Sequence, residues 1–254
     1  TFDGIVVNAK WAAEHEGFMV ALVKALAKAD GRRKLLQLVA HEYLHQWNVR
    51  RLRPAELTPY RYGDPVVIPT LWFAEGITSY VDQLLPYAAG VTTAESVLGD
   101  LGADLSRYLL SPGRAVQSLL ESSQEAWVKL YKADAYSADA QVSYYLKGAV
   151  VALCLDLHLR RSGGSLMQVL RQLWLSHGRW GRGYSEAALV ESFATHAPDL
   201  ATELPRWLRD LDDPDLDGYL SSVGLVLDAE MASTPWAGLT PRQEAGGLIA
   251  ARVV

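Results

Sequence analysis

From Arg32 to about residue 211, apolar residues recur at helical spacing in one segment after another, and this succession restricts the chain to a mainly α body. Leu35, Leu36, Leu38, Val39, Tyr43, Leu44 and Trp47 make the first such face, which ends at the turn-forming "PAELTPYRYGDP". "PTLWFAEGITSYVDQLL" predicts the next helix, stopped at Pro86. Further helical patterns cover about 93–110, 140–161, 165–177, 185–196 and 200–211, with Gly, Pro and Ser clusters between them. Upstream, the β-branched run "FDGIVVNA" predicts a strand feeding a helix over "EGFMVALVKALAKADG", which ends at Gly31. After Tyr219 the texture changes. "LSSVGLVLDAE" and "GGLIAARVV" read as strands around the Pro/Gly-rich "STPWAGLTP", which places a boundary near residue 230.

A chain of 254 residues can hold one large domain, or one domain and a fragment of another. Its 24 Lys and Arg against 29 Asp and Glu create no broad positive field, so nucleic acid is not an expected partner. The longest strongly apolar stretch, "GAVVALCLDLHL", is interrupted by Asp156 and His158 and falls short of the roughly 18 apolar residues of a membrane span. No membrane span is expected. The single cysteine, Cys154, lies within that stretch and reads as a buried core residue rather than a reactive thiol. The sequence opens at Thr1 with no signal-like segment, so the native N-terminus is expected upstream and the cytoplasm is favoured as the compartment.

Inside the first helical face stands His41-Glu42-Tyr43-Leu44-His45. Positions four apart on a helix point the same way, so His41 and His45 can offer two nitrogens to one ion, while Glu42, about 100° round, reaches a water beside it. Zinc suits imidazole ligands, and a catalytic zinc site takes three protein ligands with one position left open. The third ligand must come from another element. Glu75, on the apolar helix directly downstream, is the candidate that is hard to account for otherwise. Asp82 lies seven residues further, two helical turns, on nearly the same face. It either accepts the free N–H of a ligating histidine or sits in a solvated last turn.

"HEYLHQWNVRRLRP", "LWFAEGITSY", "QVSYYLKGAVVALCLDL" and "PWAGLTPRQEAGGLIAARVV", in this order, resemble the glycyl aminopeptidase family of zinc peptidases, of the gluzincin clan. The resemblance implies a thermolysin-like catalytic domain over residues 1–230, incomplete at its N-terminus, with a zinc-binding helix pair and a helical C-terminal subdomain. Residues 231–254 would be the truncated start of a PDZ domain. It implies one Zn2+ per chain on His41, His45 and Glu75, with Glu42 as general base. The clan's tyrosine in a Tyr-x-Lys-Gly pattern, which stabilises the tetrahedral intermediate, corresponds to Tyr145; Tyr144 is its rival by adjacency. Relatives carry Gly-Gly-Leu-Glu-His upstream of the zinc helix where this chain has Trp11-Ala12-Ala13-Glu14-His15. Glu14 would then bind the substrate's α-amino group, or it is a surface glutamate at a helix start.

The implied substrate is a peptide, from which small N-terminal residues such as glycine or alanine are released. Two other readings stay open. An endopeptidase would use the same core without Glu14, and a non-catalytic module would bind peptide C-termini through a PDZ domain by adding a strand.

Overall fold

The computed structural model describes residues 31–228 and the backbone of two strands, Leu239–Glu244 and Gly247–Val253. The strand and helix expected before Gly31, and Glu14 with them, lie outside the described residues. The described body is mainly helical, in keeping with a thermolysin-like catalytic domain.

The helix α1 (Gly31–Leu44) ends three residues earlier than its apolar periodicity suggests. Helix-type bonding persists just beyond it, where the His45 amide donates to the His41 carbonyl at 3.2 Å. The chain then turns sharply through Asn48 and Leu52 to a short 3₁₀ turn at Ala55–Leu57. The next helix opens as one π turn, Trp72–Gly76, and continues as α2 (Ile77–Ala88). The expected stop at Pro86 is corrected. Pro86 lies inside the last turn of α2, and the helix closes two residues later.

α3 (Ala94–Leu109) packs on α2 and is capped by Thr93, whose side chain accepts from the Ser96 amide. After it comes the short α4 (Leu119–Gln124), opened by a full capping box between Ser118 and Glu121, and then a four-residue turn of helix, α5 (Ser137–Ala140).

The centre of the body is α6 (Tyr144–Arg161), apolar around most of its circumference. Together with the residues before it, from Ser137, it is long and apolar enough to cross a membrane, and 78% of the most apolar window is buried inside this fold. Its interrupting residues are accommodated there. Asp156 is buried and accepts from the Tyr80 hydroxyl, Arg160 and the Leu166 amide at 2.9–3.0 Å, which satisfies a charge that would otherwise be costly to bury. Cys154 is fully buried, and burial pushes its thiol pKa up. α7 (Leu166–Ser176), α8 (Glu186–Ala194) and α9 (Leu200–Arg209) complete the core with Val169, Leu173, Leu189, Phe193 and Leu204.

Where "LSSVGLVLDAE" predicted a strand from Leu220, its first two residues end α10 (Leu216–Ser221) and the chain then runs on irregularly to Asp228. An Asp215 cap, accepting from the Gly218 amide, and the burial of Leu216, Tyr219 and Leu220 explain the helix. β1 (Leu239–Glu244) and β2 (Gly247–Val253) pair antiparallel, with a register shift at Thr240/Pro241. Such a hairpin occurs in many folds and carries no domain identity.

One crossing positions the site. The backbones of the π turn and of α6 meet at Gly76 and Gly148, where a Cβ on Gly76 would come within 2.5 Å of the Gly148 backbone. Only paired glycines allow this approach, and it brings Glu75 from one element beside Tyr144 and Tyr145 from the other.

Candidate metal centre and catalytic cleft

Three side chains converge at the mouth of this crossing. The His41 Nε2 atom lies 3.3 Å from the Glu75 Oε2 atom, and the His45 Nε2 atom lies 3.2 Å from the same oxygen. One donor atom from each residue falls within 4.8 Å of the others, which is a spacing that fits a single divalent ion. The two imidazoles meet edge to face with centroids 4.6 Å apart.

The other nitrogen of each ring is already committed. His41 Nδ1–H donates to Asp82 at 2.9 Å, and His45 Nδ1–H donates to the Asn48 carbonyl at 2.9 Å. Each bond fixes the tautomer that leaves Nε2 free as a ligand. The donor set therefore fits zinc in chemistry as well as in position: two oriented imidazole nitrogens and one carboxylate.

Electrostatics of the metal-free site point the same way. Burial raises the pKa of Glu75, but hydrogen bonds to His41 and His45 outweigh it and hold the carboxyl down to about 2. Burial pulls His41 down, and Asp82 with Glu75 more than reverses this, carrying it to about 9. His45 is raised as well, against burial, chiefly by Glu75. Burial pushes Asp82 up to about 6; His41 opposes this, while the charges of Asp104 and Asp100 add to it. Without a metal, the site thus holds protons on its imidazoles against an ionised Glu75. A divalent cation would displace them.

Seven residues apart, Glu75 of the π turn and Asp82 of α2 both reach His41. The π turn's wider winding sits at Trp72–Gly76, and the carbonyls of Phe73 and Ala74 accept from Asn48 Nδ2 at 3.3 and 3.1 Å. Thr78 adds a second bond to the Ala74 carbonyl at 2.7 Å and accepts from Asn48 Nδ2 at 3.1 Å. Asn48 is buried and joins the two ligand-bearing segments. Sequence reasoning missed it. Its one sequence signal is a polar residue three positions past His45 in an otherwise basic turn.

Glu42 and Tyr145 line the same cavity of about 900 Å³ as the three converging side chains. The Tyr145 ring stacks on His41 at 6.3 Å between centroids, and burial, the Glu75 charge and Tyr131 hold its phenol protonated. Tyr144 is 1% exposed, and its hydroxyl pairs with that of Tyr131 at 3.3 Å. Helix geometry would splay the two tyrosines about 100° apart, yet their rings stack 4.7 Å apart at 26°. They still open onto different cavities. Tyr144 lines a second one, of about 480 Å³, and Glu75 is the residue shared by both. Lys147 of the Tyr-x-Lys-Gly pattern points to neither; it is fully buried, and its ammonium has no hydrogen-bond partner among the described residues. In the turn after α1, Arg50 donates to Gln46, and Arg53 lies over the Tyr60 ring at 4.4 Å.

With this geometry in place, comparisons with other proteins become informative. Residues 34–151 match the family of M61 glycyl aminopeptidases. The structure is similar to a crystal structure of an aminopeptidase N family protein from Idiomarina loihiensis, with a TM-score of 0.81 and 30% sequence identity. That similarity covers 88% of this chain and 41% of the other, so the chain spans about two fifths of that relative's length. No curated protein matches the sequence.

Proposed function

We propose that this chain, which belongs to the glycyl aminopeptidase family of peptidases, is the catalytic portion of a zinc-dependent aminopeptidase that releases small N-terminal residues, glycine or alanine, from peptides. The observation that carries the reading is the convergence of His41 Nε2, His45 Nε2 and the Glu75 carboxylate within 4.8 Å. The preference for small residues rests on family likeness.

His41, His45 and Glu75 would hold one zinc ion per chain. When bound, that ion supplies Lewis-acid polarisation of the scissile carbonyl and acidification of the attacking water. The protein's own residues do the rest. Asp82 and the Asn48 carbonyl keep both imidazoles in the ligating tautomer. Glu42, in the same cavity, takes the proton of the attacking water and delivers it to the leaving amine nitrogen. Tyr145 donates its phenolic hydrogen to the oxygen that gains negative charge in the transition state. Glu14 would hold the substrate's free amine.

The test pairs metal analysis with peptide cleavage by the full-length protein. Wild type should carry about one zinc per chain, and Glu75→Ala should lose it; full occupancy in that variant would overturn the ligand set. Glu42→Gln should keep zinc and lose turnover, and retained hydrolysis would point to a different base. Tyr145→Phe should cost about 100- to 1,000-fold in kcat with zinc intact, against a few-fold for Tyr144→Phe. N-acetylation of the peptide should abolish cleavage. Equal rates on free and acetylated peptides would instead mean an endopeptidase.

A further inference from the structure

We infer that the second cavity, on the far side of Glu75 from the histidines, is a subsite for a bulky apolar or aromatic side chain flanking the scissile bond. The inference deepens the peptidase reading and rests on it. The cavity has about 480 Å³ and lies between the segment before the π turn and the segment after α4. Its walls are mainly apolar, with the five rings of Tyr60, Tyr62, Trp127, Tyr131 and Tyr144 among aliphatic side chains; the charged lining residues are Arg61, Asp64 and Glu75, the last at the end nearest the chemistry. A glycine or alanine side chain has no use for such a space. Pockets of this volume and lining are typical of sites that bury an apolar ligand group.

Three observations tie the space to substrate. First, it adjoins the catalytic cleft, because Glu75 stands between the two cavities and lines both, while the neighbours Tyr144 and Tyr145 each line one. A peptide stretched past Glu42 and Tyr145 therefore has the aromatic space within reach of one flanking residue. Second, the two walls are joined, since the Trp127 indole N–H donates to the Val66 carbonyl at 3.1 Å. A wall fixed in advance saves the ordering cost of binding. Third, the aromatic surface is open in the described residues: Tyr62 is 92%, Trp127 55% and Tyr131 54% exposed. Exposed apolar area of this kind, clustered at a cavity, is where a ligand gains by covering it.

The experiment uses the full-length, zinc-loaded protein and three peptides: Ala-Ala-Ala-Ala, Phe-Ala-Ala-Ala and Ala-Phe-Ala-Ala. Ala-Phe-Ala-Ala, which places phenylalanine directly after the scissile bond, should be cleaved about 10- to 100-fold better in kcat/KM than the all-alanine parent, the range that burial of one large side chain supports; the same gain for Phe-Ala-Ala-Ala would instead overturn the preference for small N-terminal residues. Trp127→Ala and, separately, the more exposed Tyr62→Ala should shrink that ratio, Trp127→Ala by about ten-fold or more. The ratio is read within each variant, so a general loss of activity does not mimic the effect. Calorimetric binding of the same peptides to the metal-free protein gives a readout without turnover. There the favoured phenylalanine peptide should bind at least about ten-fold tighter than the parent, and Trp127→Ala should close the gap. Cleavage with no phenylalanine preference at either position would overturn the subsite and leave the peptidase reading standing; another segment of the full protein covering the aromatic wall would give this result. Absence of cleavage with tighter phenylalanine binding would overturn the peptidase reading alone. Equal dissociation constants in wild type would overturn the subsite regardless of activity.

Discussion

The two histidines reach one carboxylate from supports of different kinds. His41 is held by a side chain on another element, Asp82 of α2. His45 is held by a backbone carbonyl only three residues along its own chain, that of Asn48. A side-chain support is ionisable, feels its neighbours and vanishes with one substitution. A backbone support does not titrate and is lost only if the turn that carries it changes shape. One ring is therefore tuned by electrostatics and the other by loop conformation, and substitutions on the two sides should separate into effects on metal affinity and effects on folding.

The largest expected separation is between Asp82→Ala and Asn48→Ala. Removing Asp82 deletes the acceptor at His41 Nδ1, and losses of such outer partners typically cost about 10- to 100-fold in metal affinity. Asp82→Asn should recover most of this, because an amide oxygen still accepts the bond. Asn48→Ala leaves the carbonyl at His45 in place but strips the Asn48 bonds to the Phe73 and Ala74 carbonyls of the π turn and to Thr78 of α2, with the Ala74 carbonyl still bonded by Thr78. Buried acceptors left without a donor cost about 1–3 kcal/mol, so this variant should melt earlier while its zinc affinity falls less than ten-fold. Chelator competition and thermal unfolding read the two quantities. If Asn48→Ala loses the more zinc and Asp82→Ala the more stability, the assignment of roles is reversed.

The same contrast explains what could be read from sequence. His41 and His45 stand out because a helix repeats its face every four residues, and Glu75 because a carboxylate in "LWFAEGITSY" is out of place on an apolar helix. The helical segments expected at 93–110, 140–161, 165–177, 185–196 and 200–211 were legible to within a few residues, whereas the short α4 and α10 were not, since six residues bury no repeating stripe. The carbonyl that supports His45 left no trace, because every residue has one. Nor does the residue pattern announce the π turn at Trp72–Gly76, whose Phe73 and Ala74 carbonyls accept from Asn48, remote in sequence. The aromatic cavity was equally hidden, as its walls come from loops 57–71 and 126–131, where no periodicity applies. The strand expected after Tyr219 failed because its first two residues, Leu220 and Ser221, close a capped helix, and 222–228 pairs with no strand among the described residues.

A second, smaller effect should appear as pH rises in the metal-free protein. His41 is lifted from 6.5 to about 9 because Asp82 and Glu75 outweigh its burial, and His45 is shifted in the same direction. A group whose folded pKa lies above its unfolded value contributes stability that is fully present below 6.5 and is lost as pH climbs through about 9. Asp82, held at about 6, has largely finished titrating before that window opens. The metal-free melting temperature should therefore fall between pH 6.5 and 9, whereas the zinc-loaded protein, its imidazoles already neutral, should show no such fall. Zinc binding at neutral pH should release protons, measurable in weakly buffered solution. Asp82→Ala should flatten the alkaline fall. A metal-free protein equally stable across this range would mean that Asp82 does not hold a proton on His41.

The smallest effect probes the loop side of the comparison. Val49, directly after the supporting carbonyl, adopts φ 104°, a region that β-branched residues almost never enter. Its amide donates to the Leu52 carbonyl at 2.8 Å, and the Leu52 amide returns to the Trp47 carbonyl at 2.8 Å, so the turn is closed around it. With Asn48 anchored to the π turn, the chain has no other path and Val49 carries the strain, of order 1–3 kcal/mol for such a conformation. Val49→Gly removes the strain at a cost of about 0.5–1 kcal/mol in backbone entropy and the loss of a half-buried side chain, leaving a net stabilisation of about 1 kcal/mol or less. The freed turn should also hold the Asn48 carbonyl less firmly, so zinc affinity should fall a few-fold even as the melting temperature rises. Val49→Ala keeps a Cβ and should therefore keep most of the strain, with no gain in stability. Opposite movements of stability and zinc affinity in Val49→Gly alone would show that the loop's strained shape positions His45. A fall in both would show that the valine side chain, rather than the turn's conformation, is what the site requires.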